Sequence, residues 1–401
     1  MISLKSFSLV CVLSWFGCVV FSAHAYPPDF PRIQDINPTE SDFPGRLTSL
    51  EFGLNLALDG NTLVATEPEA EPPRIAVFTR KSATAQWERS ASLYIPVPGF
   101  WDIDWKGSKL AIDGDVVLAA IKRTVYVFKR TNGRWHLVQR VKPPSTDGVT
   151  DYPEQLAFDA GTAVITGSTP SEGVAYVYTV QPDGRLAWKS KLRSLSGVRG
   201  DGFGASVDIH NDTIAIGAPG LKSVFVFKRS GSAWKRSQQV MPIEVEIANT
   251  FGRAVAVNGN MLAVGAPEAL TEGTFGNTQS GAVYVFAISA GSYTQARVLH
   301  PSPDEDSDYI DYGRIVRLTA DRLIVTATSP YLDGFYSTPA QYFVYRRSGS
   351  SVQLLASADD TLDLPWDMVT DGAQLIVSGG DHQYSIGEIE VFDLSNVKCT
   401  N

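Results

Sequence analysis

The chain repeats one unit seven times, and this constrains its fold more than any other property. In Phe52-Gly53-Leu54-Asn55-Leu56-Ala57-Leu58-Asp59-Gly60-Asn61-Thr62-Leu63-Val64-Ala65, two alternating runs flank an Asp-Gly pair. That is the strongest short-range signal for a β-hairpin. The pattern returns with its first position at Lys106, Tyr152, Phe203, Phe251, Tyr312 and Leu364, at intervals of 54, 46, 51, 48, 61 and 52 residues. Its turns recur as Asp113-Gly114, Ala160-Gly161, Asn211-Asp212, Asn258-Gly259, Ala320-Asp321 and Asp371-Gly372. Each unit continues into a third run that closes on an aromatic: Ile75 to Phe78, Val125 to Phe128, Ala175 to Tyr178, Val224 to Phe227, Val283 to Phe286, Tyr342 to Tyr345 and Ile389 to Phe392. A fourth run follows in the first six units. It carries an early aromatic at Trp87, Trp135, Trp188, Trp234 and Tyr293, and begins plainly apolar at Val352 in the sixth. Packing between neighbouring sheets accounts for these aromatics better than a ligand-stacking box. No stretch has the period of a long amphipathic helix.

Four antiparallel strands per unit, with no helix to cover a face, cannot bury their apolar sides alone. Radial repetition about an axis buries them and protects the edges. The expected fold is therefore all-β: a seven-bladed β-propeller of four-stranded antiparallel blades. An open solenoid would need polar capping repeats, and the first and last units are as apolar as the middle ones. Blade seven runs out after its third strand. The segment Arg32 to Asp42 is similar to the fourth-strand exits Gln139 to Asp147 and Arg297 to Asp306. Residues 26–45 are thus expected to complete the last blade and close the ring with the N-terminal strand.

Residues 1–25 read as a secretory signal peptide, leaving 26–401 as a single propeller. Lys5 supplies the positive region, Phe7 to Phe21 is almost wholly apolar, and Ala23-His24-Ala25 offers small residues for cleavage. The apolar run is shorter than the roughly 20 residues of a spanning helix, and Tyr26-Pro27-Pro28 follows at once. No transmembrane segment is expected in the mature chain. Gly17-Cys18 resembles the end of a lipobox, but Trp15 and Phe16 sit where small residues belong. The expected location is extracellular or periplasmic. Cleavage would remove Cys11 and Cys18, leaving Cys399 with no intramolecular disulfide to form.

Lys+Arg 34 against Asp+Glu 43 give a net charge of -9, which becomes -10 without Lys5. Nucleic acid and other phosphate polyanions are therefore not expected partners of a broad basic surface. With 44% hydrophobic residues the chain can bury a sizeable core.

Unit four reads Phe203-Gly204, Gly217-Ala218-Pro219, then Val224-Phe225-Val226-Phe227. Unit five reads Phe251-Gly252, Gly265-Ala266-Pro267, then Gly281-Ala282-Val283-Tyr284-Val285-Phe286. These two units resemble the FG-GAP repeat, the blade of integrin alpha-subunit propellers and of many secreted bacterial proteins. Unit one keeps Phe52-Gly53 and unit six Tyr312-Gly313, whereas units two, three and seven keep mainly the strand pattern. The Gly-Gly and Trp-Asp marks of kelch and WD-repeat propellers do not recur. The resemblance implies calcium in acidic hairpin loops, but the corresponding turns here are two residues long, so those sites are not carried over.

Blade five inserts Glu268 to Ser280 between its second and third strands, blade six inserts Tyr331 to Gln341, and the acidic link Pro301 to Asp311 runs between the two blades. These emerge on one face beside Asp381 to Tyr384. The candidate binding residues are Glu268, Glu272, Phe275, Tyr309, Tyr331, Asp333, Phe335, Tyr336 and His382. Aromatic faces with carboxylates suit sugar or peptide contact, although solvated connecting loops have the same composition. Asp304, Asp306, Asp308 and Asp311 have alternate spacing for one calcium, yet lack the turn glycine and terminal bidentate acid of a calcium loop. No other cofactor and no catalytic residue is expected. Among the remaining motifs, Arg199-Gly200-Asp201 spells an integrin-recognition tripeptide made of ordinary turn residues, and Asn211-Asp212-Thr213 is a sequon. His210 in a hairpin turn and His136 on an outer strand are poor catalytic positions. The expected function is non-enzymatic: a secreted monomeric propeller presenting a surface to a protein or carbohydrate ligand. The alternatives are an enzyme acting on extracellular polysaccharide from the loop face or channel mouth, and a structural envelope module.

Overall fold

A computed structural model of the chain describes residues 31–37, 51–68, 70, 72–96, 105, 107–144, 147–196, 200–244, 248, 250–273, 276–278, 280–301, 311–328, 340–349, 351–359, 364–380, 387–395 and 397. Seven four-stranded antiparallel sheets form the blades of a propeller. Blade one runs Leu56–Asp59, Thr62–Glu67, Arg74–Thr79 and Glu88–Tyr94. Blade two runs Lys109–Asp113, Val116–Ile121, Thr124–Thr131 and Arg134–Val141. Blade three runs Leu156–Asp159, Thr162–Ser168, Gly173–Val180 and Leu186–Leu192. Blade four runs Ser206–His210, Thr213–Ala218, Ser223–Ser230 and Ala233–Val240. Blade five runs Ala254–Asn258, Met261–Ala266, Ala282–Ser289 and Ser292–Leu299. Blade six runs Val316–Leu318, Arg322–Thr328, Ala340–Ser348 and Ser351–Asp359. Blade seven runs Leu364–Thr370, Gln374–Gly380 and Gly387–Asp393, and its outermost strand is Arg32–Ile36.

Ring closure follows the expectation from the N-terminal segment. Gln34 pairs with Val391 and Ile36 with Ile389, antiparallel. The pairing ties the two ends of the described chain into one ladder, and Ile36 is buried in the cluster that joins blade seven to blade one. A second device acts between blades. The Gln34 side chain donates to the Trp87 carbonyl (2.9 Å) and accepts from the Trp87 amide (2.8 Å). Gln139 makes the same pair of bonds to Leu186 in the next blade, and Gln238 to Tyr293. An edge strand leaves backbone groups unpaired; here a glutamine of the preceding blade satisfies one donor and one acceptor.

The second strands are almost wholly buried and the third strands are buried over most of their length, because neighbouring sheets cover both of their faces. Four of the five early aromatics of the fourth strands pack inward as the sequence implies: Trp87, Trp234 and Tyr293 are buried and Trp135 is half-buried. Trp188 does not, being 56% exposed. It pairs with Tyr178, two residues further along the strand, and Leu186 fills the inward position that the aromatics occupy elsewhere.

The first-to-second-strand turns have two residues in blades one to five. In blades six and seven they have three, one more than the sequence suggested. The blade-five insertion is not a plain loop: it holds a small hairpin, Thr271–Gly273 against Gly276–Thr278. Among the described residues no helix is long and apolar enough to cross a membrane.

Candidate functional site

The first strand of each blade is an inner edge strand, and its alternate side chains face the axis. Together the seven line a channel of about 700 Å³. Strand register stacks these residues in two rings. The ring nearer the long loops is Asn55, Lys109, Gln155, Ser206, Ala254, Ile315 and Asp367. The ring nearer the short turns is Ala57, Ala111, Ala157, Asp208, Ala256, Arg317 and Val369.

The second ring is small and apolar except at two positions. Asp208 and Arg317 interrupt it from blades four and six, with only Ala256 between them. Asp208 Oδ2 accepts from the Val257 amide (2.7 Å) and Oδ1 from the Ile209 amide (2.9 Å). Burial pushes its carboxyl up to about 6, against the pull of those two bonds and of Arg317. Arg317 Nη2 donates to Asp367 Oδ1 (2.8 Å) and Nε to the Met368 carbonyl (2.7 Å). Asp367 Oδ2 in turn accepts from the Leu56 amide of blade one (2.9 Å). Burial lowers the Lys109 ammonium, and Asp367 opposes that shift. The channel carboxylates thus brace inner strands: each takes a backbone N–H that an edge strand would otherwise leave to water.

The charged residues at the mouth are more open. Arg253 and Glu268 are exposed, and Asp311 lies 3.7 Å from Arg314 in an ion pair. The blade-five insertion is closed at its base by Gly281 donating to the Ala269 carbonyl. It is stapled to the start of blade six by Tyr312 donating to the Ser280 carbonyl (3.1 Å). That staple places Glu268 and Asp311 on one rim.

Of the residues singled out by sequence, the structure therefore brings together Glu268 and Asp311, and carries Glu272 on the strand Thr271–Gly273. Phe275, Tyr309, Tyr331, Asp333, Phe335, Tyr336 and His382 lie outside the described residues, as do Asp304, Asp306 and Asp308. Sequence reasoning missed Asp208, Arg317 and Asp367. Aligned by the pairing of first to second strands, the channel-facing position reads alanine four times and valine once, with Asp208 and Arg317 as the exceptions; aligned on the sequence turns, blades three, four and six fall one residue out of step, which hides the pattern.

Two other features resolve. Asp201 of Arg199-Gly200-Asp201 points inward, almost fully buried. Its carboxylate accepts from Ser194 Oγ, from Ser196 Oγ (2.8 Å) and from the Phe203 amide (3.0 Å). Among the described residues one group of three acids has metal-like spacing: Asp35, Glu388 and Glu390, on the closure seam. Arg32 bridges Glu390 and lies 3.3 Å from Asp35, so an internal cation already serves it.

The FG-GAP repeat family matches the chain at residues 189–234 and 234–286, covering blade four and most of blade five. The chain is a seven-bladed β-propeller carrying FG-GAP repeats. Such repeats are typical of extracellular proteins. No curated protein matches it. Among solved structures, Sqt1 of Saccharomyces cerevisiae is similar at 10% identity over 91% of this chain and 99% of that one, with a TM-score of 0.50. A Lactobacillus plantarum protein is similar at 17% identity over 79% and 87%, with a TM-score of 0.46. A Bacteroides uniformis protein provisionally described as a 6-phosphogluconolactonase is similar at 14% over 81% and 94%, with a TM-score of 0.49. At these identities the likeness is one of fold alone.

Proposed function

We propose that this is an exported, non-catalytic binding propeller, monomeric, whose protein or glycan ligand docks on the loop face where blades five to seven surround the channel mouth. One observation carries the reading: Asp208, Arg317 and Asp367 inside the channel are committed to bracing the ring, whereas Arg253, Glu268, Asp311 and Arg314 stand at an accessible rim. Charges of both signs on one rim suit a polar, uncharged or zwitterionic ligand held by hydrogen bonds.

An enzymatic reading has its own support in Asp208, a channel carboxyl whose raised pKa suits a proton donor. A glycan array read with and without EDTA, with mass spectrometry of the eluted sugars, separates the two. Binding without depletion, weakened by Glu268→Lys, supports the proposal. Depletion of a bound sugar that Asp208→Asn abolishes overturns it in favour of the enzyme. Silence on the array directs the search to a protein ligand.

A further inference from the structure

The net charge of -9 hides a strong segregation. Within the described residues 107–144 of blade two there are eight basic side chains and two acidic ones. Both acids lie at the end of the blade away from the long loops. Asp113 accepts from the Gly161 amide (2.6 Å), and Asp115 holds Arg130 Nε (2.7 Å). At the loop end, Lys122, Arg123, Arg140 and Lys142 have no acid of their own blade beside them. The neighbouring Asp147 is already held by Tyr176 Oη (2.7 Å) and Lys191 Nζ (2.8 Å).

Three of these bases line a preformed pocket of about 540 Å³. Lys122, Arg123 and Lys142 supply its positive rim, and Tyr126, Pro143 and Val149 are among its apolar lining. Arg123 holds the pocket open by donating to the Val149 carbonyl (2.7 Å) and to the Thr150 carbonyl, which pins the link into blade three. Lys122 and Lys142 are exposed and make no ion pair among the described residues.

We propose that this pocket binds the carboxylate of an acidic sugar, a uronate unit of an anionic oligosaccharide, as a site separate from the channel mouth. Two ammonium groups around a proline-lined depression match a carboxylate on a pyranose ring: the ring packs on the apolar surface while the lysines make charge-assisted bonds. A nucleic-acid strand fits less well. It needs stacking platforms and a continuous positive track. Tyr126 is buried and its face is covered by the Arg140 guanidinium at 5.9 Å. On blade three, Lys191 is already paired with Asp147 and Arg193 with Glu172 (3.1 Å).

The test is calorimetric titration of the full-length chain with a hexuronate tetramer, a matched tetramer whose carboxyls are reduced to alcohols, a sulfated tetramer and single-stranded DNA. Lys122→Glu and Lys142→Glu are compared with Lys129→Glu, on the same blade but outside the pocket, after thermal melts verify folding. The uronate should bind, lose about tenfold or more in affinity with either pocket reversal, weaken with salt, and be indifferent to Lys129→Glu. The reduced tetramer should not bind. Uronate binding unaffected by both pocket reversals, no uronate binding at all, or tighter binding of the sulfated tetramer or DNA would each overturn the assignment.

Discussion

Gly217 of blade four lies against the carbonyl of Gly252 in blade five, so closely that a Cβ on Gly217 would come 2.0 Å from that oxygen. One blade further, Gly265 meets the carbonyl of Gly313 at the same 2.0 Å. In each pair the first glycine belongs to Gly-Ala-Pro or its strand, and the second follows the aromatic that opens the next unit. Gly252 has φ +94°, a left-handed conformation, and its amide donates to the Gly265 carbonyl (3.2 Å) inside its own blade. Phe251 before it packs edge-to-face on Tyr284, centroids 5.2 Å apart. The two halves of the repeat motif therefore meet across a seam between blades. The motif is a joint, which is why it specifies the fold and is silent about the ligand.

Gly217→Ala should be among the most damaging small substitutions in the chain. The Cβ would overlap backbone, which cannot rotate away, so blades four and five would have to separate. A loss on the order of 3 kcal/mol or more is expected in urea unfolding. Gly107→Ala is the control, because nothing lies within 4 Å of a Cβ there; it should stay within about 0.5 kcal/mol of the parent. Equal midpoints for the two variants would refute the seam.

Deleting residues 26–45 should sharply lower the melting temperature, since it strips the outer strand from blade seven and exposes the inter-blade cluster around Ile36 and Trp87. Gln34→Ala is the finer probe. It leaves the ladder but removes both bonds to the Trp87 backbone, at about 1 kcal/mol each. A truncated chain that melts like the parent would sink the closure model.

The fold was legible because strand alternation, turn residues and the repeat interval all reinforce one another over seven units. What escaped was relational. Trp188 occupies a fourth-strand position like Trp135, but Leu186 two residues earlier had taken the inward site. No single unit announces that Asp208 and Arg317 face one channel, because they sit in blades four and six and meet only when the ring closes. The loop sector shows the limit of spacing arguments in another way. Glu268 and Asp311 do share a rim, through a backbone staple between Tyr312 and Ser280 that no pattern encodes.

Asp208 should leave a signature in the pH dependence of stability. Burial raises its folded carboxyl to about 6, above the unfolded value near 4, so the native chain binds the proton more tightly. The stability contributed by the protonated form is present below about pH 4 and is lost as pH rises to about 6, at most about 3 kcal/mol. Asp208→Asn should flatten that decline. Burial also raises Asp113, Glu154 and Glu388, but they remain in both proteins, so the difference isolates Asp208. Urea midpoints from pH 4 to 8 measure it, and parallel curves would count against a raised carboxyl at Asp208.

Asp201→Ala should cost folding stability and leave integrin-type recognition unaffected. The carboxylate organises Ser194, Ser196 and the Phe203 amide just before the blade-four aromatic. Its loss strands buried donors, on the order of 2 kcal/mol. A cell-adhesion assay that depended on Asp201 in a variant melting like the parent would show the side chain to be outward and available instead.

The two tryptophans Trp87 and Trp188 give the sharpest contrast between sequence position and structural role. Trp87 is buried, donates from Nε1 to Gln374 Oε1 (3.0 Å) and lies under the Arg80 guanidinium, 4.6 Å from its centroid. It thereby joins blade one to blade seven at the closure seam. Trp87→Ala removes apolar area, a cation–π contact and a donor to a buried amide, and should cost about 3–5 kcal/mol. Trp188, more than half exposed, has no comparable role, and Trp188→Ser should stay within about 0.5 kcal/mol. Fluorescence separates them as well: iodide should quench a Trp188 component that disappears in Trp188→Ser and persists in Trp87→Ala. Equal stability losses would place Trp188 in the inter-blade core after all.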